Sequence, residues 1–446
     1  MELEKLQKLI YDAGIIGAGG AGFPTHKKLS DKTEIIVVNA AECEPLMMVD
    51  HHIMQKHLHL IVDTLNMLMD TMGAKEAIIG IKGKNMHLLD SKVVQEMKGT
   101  RISVKEIPDI YPAGDEVILT YETTGRIVPE GSIPIAVGVM VTNLETLFNI
   151  WKLFNEDTPV VEKYVTIGGD TKDLDLTVKV PVGMKVSELL AACGYDNLEG
   201  KCVINGGPMM GKLVDLENDV VTKTTKGLLI FPETHQVIQL RKRPLGVNLK
   251  RAAAACCECH MCSDMCPRML MGYNFSVHKV LRAASHAQVS DTKSFLQSSL
   301  CCGCGVCTVV ACQQMLDPRE ISMAVKGELA KQGFRYTSDN HPKEVRPERA
   351  GRLVSSDVLV SRLGVGKYLK PVVRDMRPFN PDKVYIPTKQ HVGAPASVVV
   401  KVGDSVKRGD VVARTPYEIL GTTMHSSIDG VVTRADSDMI VVERRV

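Results

Sequence analysis

ACCECHMCSDMCPRML, residues 255–270, and LCCGCGVCTVVACQQML, residues 300–316, hold all but three of the thirteen cysteines in this 446-residue chain. In the first run Cys256, Cys259, Cys262 and Cys266, followed by Pro267, fit C-x2-C-x2-C-x3-C-P, the spacing that holds a cubane [4Fe–4S] cluster. The second run offers Cys301, Cys304, Cys307 and Cys312, with a four-residue last gap and no proline after it. Two residues between cysteines let one tight loop set three thiolates around a cluster with its N–H groups turned to the sulfides. The fourth ligand in two-cluster domains comes from the other run. Cys256, Cys259, Cys262 and Cys312 are therefore expected on one cluster, and Cys301, Cys304, Cys307 and Cys266 on the other.

Zinc is the first alternative. It takes four ligands, often as two separated C-x2-C pairs, whereas each run here has three cysteines at two-residue gaps. A disulfide framework fits less well. Cys257 and Cys302 stand beside the first ligand of each run and are read as bystanders, because a register using Cys257 leaves C-x-C spacing.

With 54 basic and 52 acidic residues the net charge is +2, which argues against nucleic acid as a partner. The N-terminal MELEKLQKLIYDAG reads as a charged amphipathic helix without a signal-peptide core. The most apolar helix candidate, around 58–72, is interrupted by Asp63 and Asp70 and is too short to span a bilayer. No transmembrane segment is expected, and the chain is expected in the cytoplasm, in a reducing setting. Its length suits two to four domains.

After the first helix comes GAGGAGFPTHKKL, with Gly17, Gly19 and Gly22 spaced as G-x-G-x-x-G. The Rossmann reading fails on context, since a helix precedes the glycines and Pro24 follows them. What remains is a glycine loop whose backbone can approach a phosphate or a flat ring, or a loop of structural purpose only. EIIVVNAAECEP then reads as a buried strand ending in Asn39, Glu42 and Glu44, either ligand groups or a capped turn. A helix near 51–72, AIIGIK, a helix near 85–98 and ISVKEI alternate as in an α/β domain with a largely parallel sheet. Gly114-Asp115-Glu116 marks a helix start, and VMVTNLET carries Asn143.

Together the GAGGAGFPTHKK loop, the NAAECEP strand end, YPAGDE and NLET resemble the flavin-binding subunit of respiratory NADH dehydrogenases, and still more its RnfC-type relatives. By matching position the resemblance implies FMN contacts at Gly17, Gly19, Gly20, Gly22, Lys28, Asn39, Glu42, Asp115, Glu116 and Asn143. It sets Phe23 and Glu44 facing NADH. Ala41 stands where the respiratory subunit has aspartate.

Four units are expected: an FMN- and NADH-binding α/β domain over 1–160, a β-grasp (SLBB) module over 161–240, a helical, ferredoxin-like two-cluster domain over 250–330, and a barrel-sandwich hybrid over 381–446. Between the last two, residues 331–380 read as a polar connector whose charges form a solvated helix face. Cys193 and Cys202 read as buried apolar residues. The C-terminal unit resembles lipoyl and biotinyl carriers, yet its hairpin turn reads HSSIDG and lacks the lysine that a carrier modifies. RnfC proteins carry this module at the N-terminus. Its C-terminal place here, with the x4 cysteine gap, resembles the PduS-type cobalamin reductases of propanediol-utilisation microcompartments.

That resemblance implies an oxidoreductase. NADH gives two electrons together, clusters take one at a time, and a flavin converts between them. The expected path runs from NADH through FMN and two [4Fe–4S] clusters to cobalamin, or to a corrinoid-binding partner such as the adenosyltransferase, with shell proteins as further partners. No side chain is expected to act as a catalytic acid or base. The histidine motif D-x-H-x-x-G that ligates cobalt is absent. The alternative is an electron conduit, or an RnfC-like member of a larger complex serving another acceptor.

Overall fold

The computed structural model describes residues 1–446 apart from 173, 289 and 446. After α1 (Leu3–Asp12), strand β1 (Ile35–Ala40) is apolar on both faces, as a strand covered twice must be. It pairs in parallel with β2 (Glu76–Lys82), which pairs with β3 (Ile102–Ile107). A two-residue strand, β4 (Ile110–Tyr111), precedes β5 (Val139–Asn143), which returns to the other side of β1 and gives the order β3-β2-β1-β5. Successive strand residues alternate faces. Ile36, Val38 and Ala40 pack under α1, α2 (Val49–Met72) and α5 (Leu144–Glu156). Ile35 and Val37 turn to α4 (Glu116–Thr124) and into a core shared with Cys262, Cys266, Tyr273, Phe275, Cys301 and Cys307. The second sheet face and the cysteine-bearing unit thus share one core. The helix expected near 85–98 is a 3₁₀ stretch, Gly83–Leu88, then α3 (Ser91–Glu96), because the Asp90 side chain caps α3 and starts it afresh.

Next comes a mixed sheet with β6 (Glu162–Gly169), β7 (Asp175–Pro181), β8 (Lys201–Asn205), β9 (Lys212–Leu213) and β10 (Gly227–Pro232). Helix α6 (Val186–Ala192) covers it through Val186, Leu189 and Leu190. Helices α7 (Gln236–Lys242) to α13 (Pro318–Lys331) carry the cysteine runs. At the C-terminus, β13 (Lys383–Pro387), β15 (Ser405–Val406), β18 (Gly430–Ala435) and β19 (Met439–Glu443) face β14 (Ser397–Val398), β16 (Val411–Arg414) and β17 (Thr423–His425) across a core that includes Val384, Val412, Met424 and Val442.

Residues 331–380 depart from the expected solvated connector. β11 (Val354–Ser355) pairs with β4, and β12 (Val372–Asp375) extends the mixed sheet beside β7. Tyr336, Ser338 and Asn340 all donate to the buried Glu130 carboxylate at 2.7–2.8 Å. Arg349, expected on a wet face, is buried, pairs with Glu122 and lies 5.0 Å over the Tyr121 ring. Buried carboxylates demand such partners, and the connector supplies them.

Candidate functional site

Beyond α1, Ile16 bridges Pro24 and closes the glycine loop, inside which Gly17 N–H donates to Phe23 O at 2.9 Å. Gly19, Gly20 and Gly22 have φ of +146°, +57° and +66°, which side chains resist. A Cβ on Gly22 would stand 2.7 Å from Thr224 Cγ2, so packing requires that glycine. A Cβ on Gly20 would meet nothing within 4 Å, leaving an open cradle that fits a flat ring or a phosphate.

Ala18 N–H donates to Thr146 Oγ1 at 3.0 Å, which hangs the loop on the first turn of α5. Asn143 immediately precedes that helix and lies in register beside Asn39 of β1. The loop therefore overlies the carboxyl ends of β1 and β5, where the strand order reverses. Open α/β sheets bind ligands at such a switch point. Lys28 Nζ pairs with Glu116, donates to Val141 O at 3.2 Å, and stands 5.8 Å over the Phe23 ring. Asn39 is committed to backbone, donating to Gly114 O at 3.0 Å and accepting from Ala41 N–H.

Glu42, at φ +32°, points to a buried charge cluster. Lys226 Nζ stands 2.6 Å from Asp50 and 3.4 Å from Glu42. Burial pushes the Glu42 carboxyl up to about 7, with Lys226 pulling the other way and Asp50 adding to the rise. Asp50 Oδ1 has no partner among the described residues. Lys226 also passes 3.8 Å from the position of a Gly19 side chain. Sequence reasoning misses Lys226 and Asp50. Lys226 follows TKTT in another unit, and only the fold carries it under the loop.

Glu44, expected to face NADH, also makes a structural contact. Its two oxygens accept the Met209 and Met210 N–H groups at 2.9 Å each, clamping the Gly206–Gly211 turn of the mixed-sheet unit. Any side chain on Gly207 would collide with Glu44. Asp115 caps α4 through Val117 N–H and Ile118 N–H and accepts from Arg268 at 2.7 Å. Arg268 lies two residues after Cys266, so this pair joins the strand-end site to the first cysteine run.

The thiols gather in two sets. Burial pushes Cys262 up to about 12, and the thiols close enough to add to that are Cys312, Cys256 and Cys259. Cys307 is raised by burial and then by Cys301, Cys266 and Cys262. Cys304 is raised by its hydrogen bond with Cys302, then by burial, with Cys307 and Cys266 also nearby. The runs also share a backbone path. Glu258 and His260 in one, and Gly303 and Gly305 in the other, occupy matching offsets at positive φ, between +54° and +79°. Gly303 N–H donates to Cys301 Sγ at 3.4 Å. Among the described residues no three His, Cys, Asp or Glu side chains converge on a single ion. A cubane bonds each thiolate to a different iron and tolerates wider separation. The thiols suit iron–sulfur ligation, and loading would require the buried Cys262, Cys266, Cys301, Cys304 and Cys307, whose thiols burial pushes up, to release their protons. Cys302 lies beside Cys304, and that neighbour draws its thiol down to about 7 against the opposing push of burial.

A model of the Nuo51 FMN-binding domain matches residues 10–152, one of a 4Fe-4S dicluster domain matches 255–317, and one of the RnfC barrel sandwich hybrid domain matches 372–445. The cobalamin reductase PduS of Salmonella typhimurium is 37% identical over 100% of this chain and 97% of its own length. That of Citrobacter freundii is 34% identical over 99% and 97%. A component of the Na(+)-translocating ferredoxin:NAD(+) oxidoreductase complex of Acetobacterium woodii is 30% identical over 62% of this chain and 60% of its own. The molecule is a multidomain α/β protein with an FMN-binding domain, a 4Fe-4S domain and a barrel-sandwich hybrid. No helix among the described residues is long and apolar enough to cross a membrane.

Proposed function

Since the chain belongs to the family of the PduS cobalamin reductases, we propose that it is an oxidoreductase passing electrons from NADH, through FMN and two [4Fe–4S] clusters, to cobalamin. The observation that carries this is the Asp115–Arg268 pair, 12–14% exposed, which ties the switch-point crevice to the loop of Cys266. Bound FMN would supply conversion of a two-electron donor into single electrons, and the clusters would relay them.

The chain's own residues do the positioning. Gly17, Gly19, Gly20 and Gly22 open the cradle, and Lys28 and Asn143 offer a cation and an amide at its rim. Glu42 and Lys226 hold a buried charge pair beneath it. Cys256, Cys259, Cys262 and Cys312 hold one cluster, and Cys266, Cys301, Cys304 and Cys307 the other. The mixed-sheet unit is read as an SLBB β-grasp module. The chain is read as working in the cytoplasm within a microcompartment, beside an adenosyltransferase and shell proteins.

An anaerobic NADH titration of the loaded protein tests the donor: flavin and cluster absorbance should bleach in turn. Bleaching by dithionite alone would make the chain a conduit fed by another protein. The engagement of Glu44 by the Met209 turn supports that second reading, because it occupies one group expected at the nicotinamide. Cys312→Ser and Cys259→Ser should abolish the same cluster signal in spin resonance, and Cys266→Ser the other.

A further inference from the structure

The two thiol sets differ in their access to solvent. Cys266, Cys301, Cys304 and Cys307 are all 7–8% exposed, whereas in the other set only Cys262 is as buried, Cys259 being exposed and Cys256 and Cys312 half-buried. The buried set adjoins the FMN-binding domain, where Tyr111 Oη donates to Cys304 O at 2.8 Å. The loop of the more exposed set reaches, through Glu258, a cleft of about 600 Å³ that is also lined by His278, Lys279, Arg282, Lys293 and Arg346. Glu258 lies between Cys257 and Cys259. His278 stacks on His260, which lies between Cys259 and Cys262, with ring centres 4.0 Å apart. Tyr273 and Phe275, both buried, also line the cleft.

The rim carries four cations against the carboxylates Glu258 and Asp291. Arg282 is spent on Glu258 at 2.8 Å, while Lys279 and Lys293 are turned to the cleft. A cationic rim suits a ligand bearing a phosphodiester.

We propose that this cleft is the electron exit and binds the corrinoid acceptor directly, with Lys279 and Lys293 on the phosphodiester of its nucleotide loop. The proposal rests on the cobalamin reading above. Cobalt(III) gains one electron, the NADH-reduced protein loses one, and the axial water leaves. The cleft takes an edge of the macrocycle, close to the exposed thiol set.

The test uses the loaded holoprotein and the double variant Lys279→Glu, Lys293→Glu. Equilibrium dialysis measures Kd for hydroxocobalamin and for cobinamide, which lacks the phosphodiester-linked nucleotide. NADH-dependent ferricyanide reduction monitors folding and internal transfer. The expected result is a rise of about tenfold in the hydroxocobalamin Kd, with less than about twofold change for cobinamide and an unchanged ferricyanide rate. An unchanged hydroxocobalamin Kd overturns the cleft assignment while leaving the cobalamin reading intact. If the variant instead loses only transfer to an acidic carrier protein, the cleft is a protein dock and the proposal also falls. If the wild type reduces ferricyanide yet neither binds nor reduces hydroxocobalamin, the cobalamin reading itself fails. Should the double variant not fold, Lys279→Gln alone is expected to raise the Kd about threefold.

Discussion

Replacing Glu44 by alanine separates two accounts of one residue. In the structure its carboxylate accepts two backbone N–H groups, from Met209 and Met210, each at 2.9 Å. The turn it holds is also gripped by Arg241, which donates to Gly211 O at 2.8 Å and to Pro208 O at 2.6 Å, and Met209 packs against Gly305 of the second cysteine run. Hydrogen bonds to a charged group contribute about 1.5–3 kcal/mol each. Glu44→Ala strips both and leaves the buried Met209 N–H without an acceptor while Met210, 45% exposed, can turn to water, so a loss of about 2–4 kcal/mol is expected. For a cooperative unit of this size that lowers Tm by roughly 10 °C. Glu44→Gln keeps one acceptor oxygen but turns an NH2 group toward the second N–H, and should cost about 2 kcal/mol. Thermal unfolding of loaded protein followed by circular dichroism provides the assay, with KM for NADH measured alongside. If Tm stays within about 1 °C while KM rises about tenfold, the clamp reasoning is refuted and the nicotinamide role implied by the family stands.

Arg268→Met leaves Asp115 enclosed without its cation, so a loss of about 3–5 kcal/mol is expected, together with slower cluster reduction after flavin reduction in stopped flow; equal rates would unlink the pair from transfer. Gly20→Ala fits the available space but blocks the cradle at positive φ, so FMN affinity should fall about tenfold with a stability change near ~1 kcal/mol. Gly22→Ala collides with Thr224 and should destabilise by about 1–3 kcal/mol, and reversal of that pattern in FMN titrations and melts would count against the loop assignment. Burial holds His26 down to about 4 and His425 to about 3. The unfolded chain takes up protons below about 6.5 while the native chain does not, so stability is complete above that pH and falls as pH drops toward 4. The slope is at most about 1.4 kcal/mol per pH unit per histidine, and a flat Tm between about pH 7 and pH 5 contradicts it.

Some of this is legible in order along the chain. The alternation of apolar runs and helices over residues 35–143 predicts the parallel sheet, and β1, β2, β3 and β5 form it. The Rossmann reading fails on local grounds, and the chain indeed enters the glycine loop from a helix. The connector misleads because its charges have distant partners: Arg349 meets Glu122 across 227 residues of sequence. A run of arginines reads the same whether its carboxylates are absent or buried elsewhere.

By itself the sequence determined the donor chemistry. Cysteine spacing and glycine placement are short-range constraints, since two intervening residues or one positive φ set what a loop can surround. It did not determine how the carboxylates are used. Glu44 and Asp115 look like ligand groups in their motifs, yet each is drawn to a donor in another unit, the Met209–Met210 backbone and Arg268. Nor did it determine which thiol set is buried, because the spacing in the two runs is nearly the same. Solvent access depends on what packs over a loop: Cys262, Cys266, Cys301 and Cys307 join the core under the sheet, while Cys259 is left at the surface. Tertiary structure alone decides that, since burial belongs to the neighbours and not to the residue.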